Sequence, residues 1–82
     1  MTNYLLICRS LTYAQRASKV LKSAGIPASI SRIPKEIATN GCGYCVRLAE
    51  KWLSRSLELL NNTGLQPIKV YAWYGYENYA EV

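Results

Sequence analysis

The residues best suited to chemistry are two cysteines in a glycine-containing segment, Gly41-Cys42-Gly43-Tyr44-Cys45. Two thiols at this C-x-x-C spacing can close a disulfide, share one soft metal ion, or activate each other. The chain has three cysteines and no histidine, so no imidazole is present as a general base or a metal ligand. The sequence therefore points to thiol chemistry at Cys42 and Cys45.

The size and composition of the chain indicate one small folded domain. Half of its 82 residues are apolar, which is typical of a globular protein. We expect a single domain over residues 1–74, followed by a short tyrosine-rich and partly loose tail at 75–82. No signal peptide or membrane-spanning stretch is visible, so we expect a cytoplasmic protein whose thiols are mostly reduced. In that compartment a C-x-x-C pair is more often redox-active, persulfide-carrying or metal-binding than structural.

The charge pattern narrows the classes of partner. The chain contains ten basic and five acidic residues, which gives a net charge of +5, but the basic residues are scattered along the sequence. The charge therefore favours acidic partners only in a general way, and we do not expect nucleic acid to be one. Aromatic residues near the C-terminus, such as Tyr71 and Trp73, are expected to pack in the core or in a subunit contact. Because the glutamates are dispersed, a carrier or transfer protein fits better than a stand-alone enzyme.

The order of predicted elements is strand, helix, strand, strand, helix, strand. The predicted strands lie at 4–8, 28–33, 46–48 and 68–73. Thr12 with Gln15 forms a capping-box pattern at the start of the first helix, and Gly25 is expected in the left-handed position after its end. The second helix should begin at Leu48 or Ala49 and end before Gly64. This order predicts an α+β fold with a ferredoxin-like βαββαβ topology, in which two helices cover one face of a four-stranded antiparallel sheet.

This topology predicts where the cysteines lie. Strands one and three should be central neighbours, so Cys8 and the segment 42–45 should meet at one edge of the sheet. The start of the first helix, near Thr12, should open at the same edge. A helix N-terminus stabilises thiolate over thiol, and the side chains of Arg9 and Lys35 could act in the same direction.

One stretch of the chain resembles a known family. Pro34-Lys35-Glu36-Ile37, a short loop, and then Cys42-Gly43-Tyr44-Cys45-Val46-Arg47-Leu48 look like the signature of the selenium/sulfur carrier protein-like family of small bacterial domains. The opening strand, Ser10, the first helix and Gly25-Ile26-Pro27 extend the resemblance over about residues 4 to 73. The resemblance implies that Cys42 is the carrier thiol. It also implies that the partners are sulfur or selenium donor and acceptor proteins.

A carrier of this kind would act through the C-x-x-C pair without a cofactor. Cys42 lies between Gly41 and Gly43, where backbone N–H groups could approach a persulfide or selenide anion. Lys35 and Arg47 could also stabilise that anion, although each is as readily read as a solvated surface charge. Cys45 could then resolve the persulfide by attacking its inner sulfur, or transfer the outer sulfur by attacking that atom.

Two other functions stay open at this point. Cys42 and Cys45 could bind Cu(I) or Zn(II) as a metallochaperone-like module, and zinc would need Cys8 with a carboxylate, or four thiolates from a homodimer. Such a dimer could form through an exposed edge strand. In the third reading the pair is incidental, and the chain is a structural or interaction module without chemistry.

Overall fold

The computed structural model describes residues 2–35, 37, 43–75 and 78–82. Two α-helices and five β-strands form these parts of the chain, with a short 3₁₀ turn at Glu50–Trp52 between β3 and α2. The elements in chain order are β1 (Asn3–Ile7), α1 (Leu11–Ser23), β2 (Ser29–Arg32), β3 (Tyr44–Ala49), α2 (Leu53–Asn62), β4 (Lys69–Trp73) and β5 (Tyr79–Glu81).

The first helix begins two residues earlier than its sequence pattern predicts. Ser10 is the N-cap: its backbone is extended, and its Oγ accepts a hydrogen bond from the backbone N–H of Tyr13 at 3.3 Å. The prediction of Thr12 as the cap is wrong, because Ser10 already occupies the position from which a short hydroxyl reaches the first turn. The glycine predictions are confirmed, since Gly25 and Gly64 follow the two helices with φ values of +79° and +72°.

The sheet is antiparallel and its strand order is β2-β3-β1-β4-β5. The prediction that the first and third strands are neighbours is confirmed. The count of four strands is wrong, so the predicted four-stranded ferredoxin-like sheet is not confirmed in that form. The added strand β5 comes from residues 75–82, which we expected to be a partly loose tail. Tyr79 pairs there with Trp73 of β4, and the backbone N–H of Val82 bonds to Val70 O at 2.8 Å.

Both helices pack on the same face of the sheet. The sheet contributes Leu6, Val46 and Leu48, which alternate with outward-facing neighbours as the pleat requires. The buried helical partners in this core are Ala14, Ala17, Leu21 and Leu60. Burying one leucine side chain stabilises the fold by roughly 1.5–3 kcal/mol, so this layer supplies much of the driving force for folding. The other face of the sheet has no helix on it among the described residues, and we call it the open face.

Strand β3 is longer than predicted, and this changes the setting of the site. It starts at Tyr44 and continues to Ala49, which pairs with Asn3 of β1. The predicted start of the second helix at Leu48 or Ala49 is therefore wrong. The burial of Leu48 against the helices keeps this stretch in the sheet, and α2 begins only after the 3₁₀ turn. As a result Cys45 lies inside a strand rather than in a turn.

Candidate functional site

Cys45 is a fully buried thiol on the open face of the sheet. Its direct cross-strand partners are Ile7 in β1 and Ser31 in β2. The Sγ atom lies 3.4 Å from the Ser31 Oγ and 4.0 Å from the carbonyl oxygen of Arg32. The side chain has 0% of its surface exposed. Cys45 therefore contacts polar groups of the neighbouring strand while it is shielded from solvent.

The environment of Cys45 favours the protonated thiol. Burial raises its pKa, because the charged thiolate loses more hydration than the neutral thiol. The hydrogen bond with Ser31 and the positive charge of Arg47 lower the pKa, but both effects are smaller than that of burial. At neutral pH Cys45 is thus an uncharged thiol, which is a poor nucleophile and has to lose a proton before it can bind a metal.

Cys8 lies at the same edge of the sheet as Cys45 but faces the other way. Its backbone N–H bonds to the carbonyl of Tyr44 at 3.2 Å, which extends the β1–β3 ladder by one residue. Cys8 thus aligns with Tyr44, and its buried side chain packs in the core beneath the helices. Its Sγ lies 3.5 Å from the carbonyl oxygen of Leu6.

This placement corrects the expectation that the thiols converge. The backbone of the two segments meets as predicted, but adjacent positions of a strand point to opposite faces of the sheet. One metal ion therefore cannot take both Cys8 and Cys45 as ligands without rearrangement of the sheet. Among the described residues no group of three or more cysteine, aspartate or glutamate side chains is placed to hold a metal ion.

The carrier candidate Cys42 and its neighbour Gly41 lie outside the described residues. The next residue, Gly43, is described, and its carbonyl accepts a hydrogen bond from the Ile33 backbone N–H at 2.9 Å. Among the described residues, apart from Gly43 and its chain neighbours, no atom lies within 4 Å of the position that a Cβ at Gly43 would occupy. The chain is therefore hydrogen-bonded next to the end of β2 at Gly43, and the described residues leave the space beside this glycine open.

The cationic residues that were predicted to act on the thiols, Arg9, Lys35 and Arg47, have different neighbours in the structure. Lys35 is exposed in a turn that the Ile37 N–H closes onto Pro34 O at 3.1 Å, and it forms no ion pair with a described residue. The Arg9 guanidinium lies 5.2 Å from the centroid of the Tyr13 ring, so α1 rather than a thiol is its described neighbour. Of the predicted cations, Arg47 is the one whose charge acts on a described cysteine.

Arg47 spans the open face of the sheet. Its guanidinium carbon lies 4.1 Å from the centroid of the Trp73 ring, although β1 separates their two strands. Trp73 also stacks on Tyr79 with ring centroids 6.3 Å apart. Leu5 lies on the same open face, and only 3% of its surface is exposed.

The cluster of Leu5, Arg47, Trp73 and Tyr79 on the open face was not predicted from the sequence. Tyr71 and Trp73 share a face with Leu5, away from the helices, so they lie outside the helical core, and their expected role in a subunit contact stays a prediction. The signal that could have revealed this is the alternation of Val70 and Ala72 with the aromatic residues. The small apolar pair fits under the helices, and the large rings then occupy the other face.

The described helices include none that is long and apolar enough to cross a membrane.

A family model described as "Putative Se/S carrier protein-like" matches residues 3–72. No curated protein and no solved structure shows significant similarity to the chain. The matched range contains all three cysteines and ends just before Trp73.

Proposed function

We propose that this chain, which belongs to the Se/S carrier protein-like family, carries sulfur or selenium as a covalent adduct on Cys42. The observation that carries the proposal is the family match over residues 3–72, which includes the C-x-x-C pair. The donors and acceptors of the chalcogen would be other thiol proteins in a reducing cytoplasm. The chain needs no resident cofactor for this role, because the thiol itself holds the cargo.

In the loading step the Cys42 thiolate attacks the outer sulfur of a donor persulfide, R–S–SH. The new Cys42–S bond forms as the donor S–S bond breaks, and the donor leaves as the thiolate R–S⁻. Cys42 then bears –S–SH, and no external oxidant is required, because the sulfane sulfur moves without a change in its oxidation state. A selenium cargo would form Cys42–S–SeH by the same displacement on a donor R–S–SeH.

Cys45 determines how long this cargo is held. Attack of Cys45 on the inner sulfur would expel hydrogen sulfide and leave a Cys42–Cys45 disulfide, so two thiols would be oxidised as the sulfane sulfur is reduced. Only the thiolate attacks at a useful rate, and the burial of Cys45 keeps it protonated at neutral pH. A Cys42 adduct is thus protected from its neighbour until an acceptor thiol attacks the outer atom.

The residues around Cys42 would stabilise the adduct anion by different means. Gly41 and Gly43 would allow backbone N–H groups to approach it, and the space that the described residues leave beside Gly43 would admit a partner thiol. Lys35 is exposed and would contribute a mobile charge. Arg47 is held over Trp73, so its effect on the site passes through Cys45.

A soft-metal role is the weaker proposal. Cys42 and Cys45 could bind Cu(I), but Cys45 would first have to lose its proton against the cost of burial. Zinc would need two more ligands, and a homodimer would supply two thiolates while Cys8 stays in the core.

Peptide-resolved mass spectrometry after treatment with a low-molar-mass persulfide donor tests the carrier role. We expect a gain of one sulfur atom on Cys42, which is lost in Cys42→Ser and kept in Cys8→Ser and Cys45→Ser. Modification that is equal on all three cysteines, or absent from Cys42, would contradict the proposal. The same experiment with a low-molar-mass donor R–S–SeH, in which the thiolate R–S⁻ is the leaving group, tests whether Cys42 also accepts selenium.

A further inference from the structure

We propose that the open face of the sheet has a binding site for a small oxyanion, in the cavity between Arg47, Trp73 and Tyr79. The cavity measures about 200 Å³, and Leu5, Ser31, Arg32 and Pro34 complete its lining. The argument for this site uses described residues alone, and its existence does not depend on the proposed carrier role of Cys42.

The first argument is the state of the Arg47 guanidinium. Stacking on Trp73 covers one flat side of the group, but the N–H bonds of a guanidinium lie in its plane and stay available at its edges. Arg47 forms no ion pair with any described carboxylate. Glu81, the described acidic residue on this face, is 3.9 Å from Lys69 instead. An anion in the cavity would therefore meet a positive charge that no described carboxylate neutralises.

The second argument is that part of the cavity lining is apolar, although the Arg47 side chain itself is exposed. Leu5 forms a buried floor, and the Trp73 ring lies on the side where Arg47 stacks. Water screens a charge less where apolar groups displace it, so an ion pair would be screened less on the side that faces Leu5 and Trp73 than on the side that faces solvent. The planar guanidinium suits two oxygens of a tetrahedral oxyanion, since it can donate two parallel hydrogen bonds.

The third argument concerns the size of the ligand. Drug-sized molecules occupy pockets of about 300–1,000 Å³, so a cavity of about 200 Å³ fits a group of only a few heavy atoms. Sulfate, phosphate and thiosulfate are all small anions of about this size. Thiosulfate differs from the other two because it contains a transferable sulfane sulfur, and its binding would link the site to chalcogen supply.

An anion bound in this cavity would also affect the protonation of Cys45. Arg47 and Cys45 are two residues apart on β3 and face the same side, so they are separated by roughly 6.5 Å along the strand. The charge of Arg47 favours the Cys45 thiolate, and a bound anion would offset that effect. Occupancy of the cavity would thus keep Cys45 protonated.

The test is a titration of the protein with sodium thiosulfate, sulfate or phosphate at constant ionic strength, followed by NMR of the Trp indole N–H groups. Trp73 should give a saturable shift, and Trp52 should not move. In Arg47→Gln the affinity should fall at least about tenfold, because a charge-assisted hydrogen-bonded pair is lost. Arg47→Lys should restore only part of it, since lysine lacks the planar pair of donors.

Lys51→Gln is the matched control, because Lys51 lies 5.1 Å from the Trp52 ring centroid and carries the same charge away from the cavity. Its affinity should equal that of the wild type. An unsaturable Trp73 shift, an unchanged affinity in Arg47→Gln, or an equal loss in Lys51→Gln would overturn the proposal. Tighter binding of thiosulfate than of sulfate would assign the site to sulfur supply, and equal binding would assign it to oxyanions in general. A negative result here leaves the mass-spectrometric test of Cys42 unaffected.

Discussion

Cys45 and Ser31 are direct cross-strand partners whose Sγ and Oγ atoms lie 3.4 Å apart on the open face of the sheet. The hydroxyl can donate to the sulfur, and this is the largest of the effects that oppose burial in setting the pKa of Cys45. The hydrogen bond between the two residues therefore offsets part of the effect of burial on the pKa of Cys45. Cross-strand register, rather than proximity along the chain, gives Cys45 this partner.

We predict that Ser31→Ala raises the pKa of Cys45 further. The substitution removes a hydrogen bond that favours the thiolate, while burial continues to favour the thiol. The shift can be followed by ¹³C NMR of the cysteine Cβ through a pH titration. Ser29→Ala is the control, because Ser29 lies on the same strand and face but pairs with Arg47. A lower pKa of Cys45 in Ser31→Ala would show that water entry outweighs the lost hydrogen bond, against the prediction.

The raised pKa of Cys45 predicts how stability depends on pH. An unfolded cysteine ionises near pH 8.5. Above about that pH the unfolded state therefore binds fewer protons than the folded state. The free energy of unfolding should consequently fall as pH rises from about 8.5 toward the folded pKa, with a limiting slope of about 1.4 kcal/mol per pH unit.

Chemical denaturation of the wild type and Cys45→Ala between pH 7 and pH 10 measures this effect. Cys45→Ala is expected to be less stable at neutral pH because it leaves a small cavity, but its stability should fall less over the alkaline range. The comparison depends on the difference between the two slopes, so other alkaline titrations cancel. Parallel curves would contradict a raised pKa at Cys45.

Metal binding should not depend on Cys8. Cys8 faces the helical core while Cys45 faces away from it, so Cys8→Ser is expected to leave the affinity of the reduced protein for Cu(I) or Zn(II) unchanged. Any Cu(I) affinity should also rise with pH, as Cys45 loses its proton. Competition with a colorimetric chelator measures both effects. A loss of about tenfold or more in Cys8→Ser would indicate that the sheet rearranges to bring the thiols together.

The fifth strand should contribute to stability although its sequence is polar. Tyr79 stacks on Trp73 and pairs with it across the β4–β5 ladder. We expect Tyr79→Ala to lower the free energy of unfolding by on the order of 2 kcal/mol, from lost apolar area and the lost ring pair. Tyr74→Ala is the matched control, because Tyr74 is 61% exposed. Equal effects of the two substitutions in urea denaturation would show that β5 is not a stable part of the sheet.

The sequence was sufficient to predict both helix ends that a glycine marks, although it misplaced the N-cap of α1 and the start of α2. The glycines after both helices were correctly placed, because a left-handed position at a helix end strongly favours glycine. Neighbouring β1 and β3 also followed from the order of elements. The missed strand β5 has only three residues, and its pairing depends on β4 rather than on any pattern of its own.

The sequence suggests candidate site residues, whose roles stay predictions, but it does not determine how they are arranged. The spacing and family resemblance identified Cys42 and Cys45, and the environment of Cys42 stays a prediction because it lies outside the described residues. The opposite directions of Cys8 and Cys45 follow from the alignment of Cys8 with Tyr44. A shift of one residue in that register would reverse them, and composition does not determine register. The contact of Arg47 with Trp73 also needs three strands to be in place.

The lifetime of the Cys42 adduct at two pH values tests most directly whether Cys42 carries a chalcogen while Cys45 stays protonated. Wild type and Cys45→Ser are loaded with a persulfide donor, freed of the donor, and followed by mass spectrometry together with assay of released sulfide. At neutral pH we predict that both proteins keep the adduct equally long. At alkaline pH the wild type should lose it faster, releasing sulfide and forming a Cys42–Cys45 disulfide. Failure of Cys42 to hold an adduct in either protein, or rapid loss from the wild type at neutral pH, would contradict the proposal.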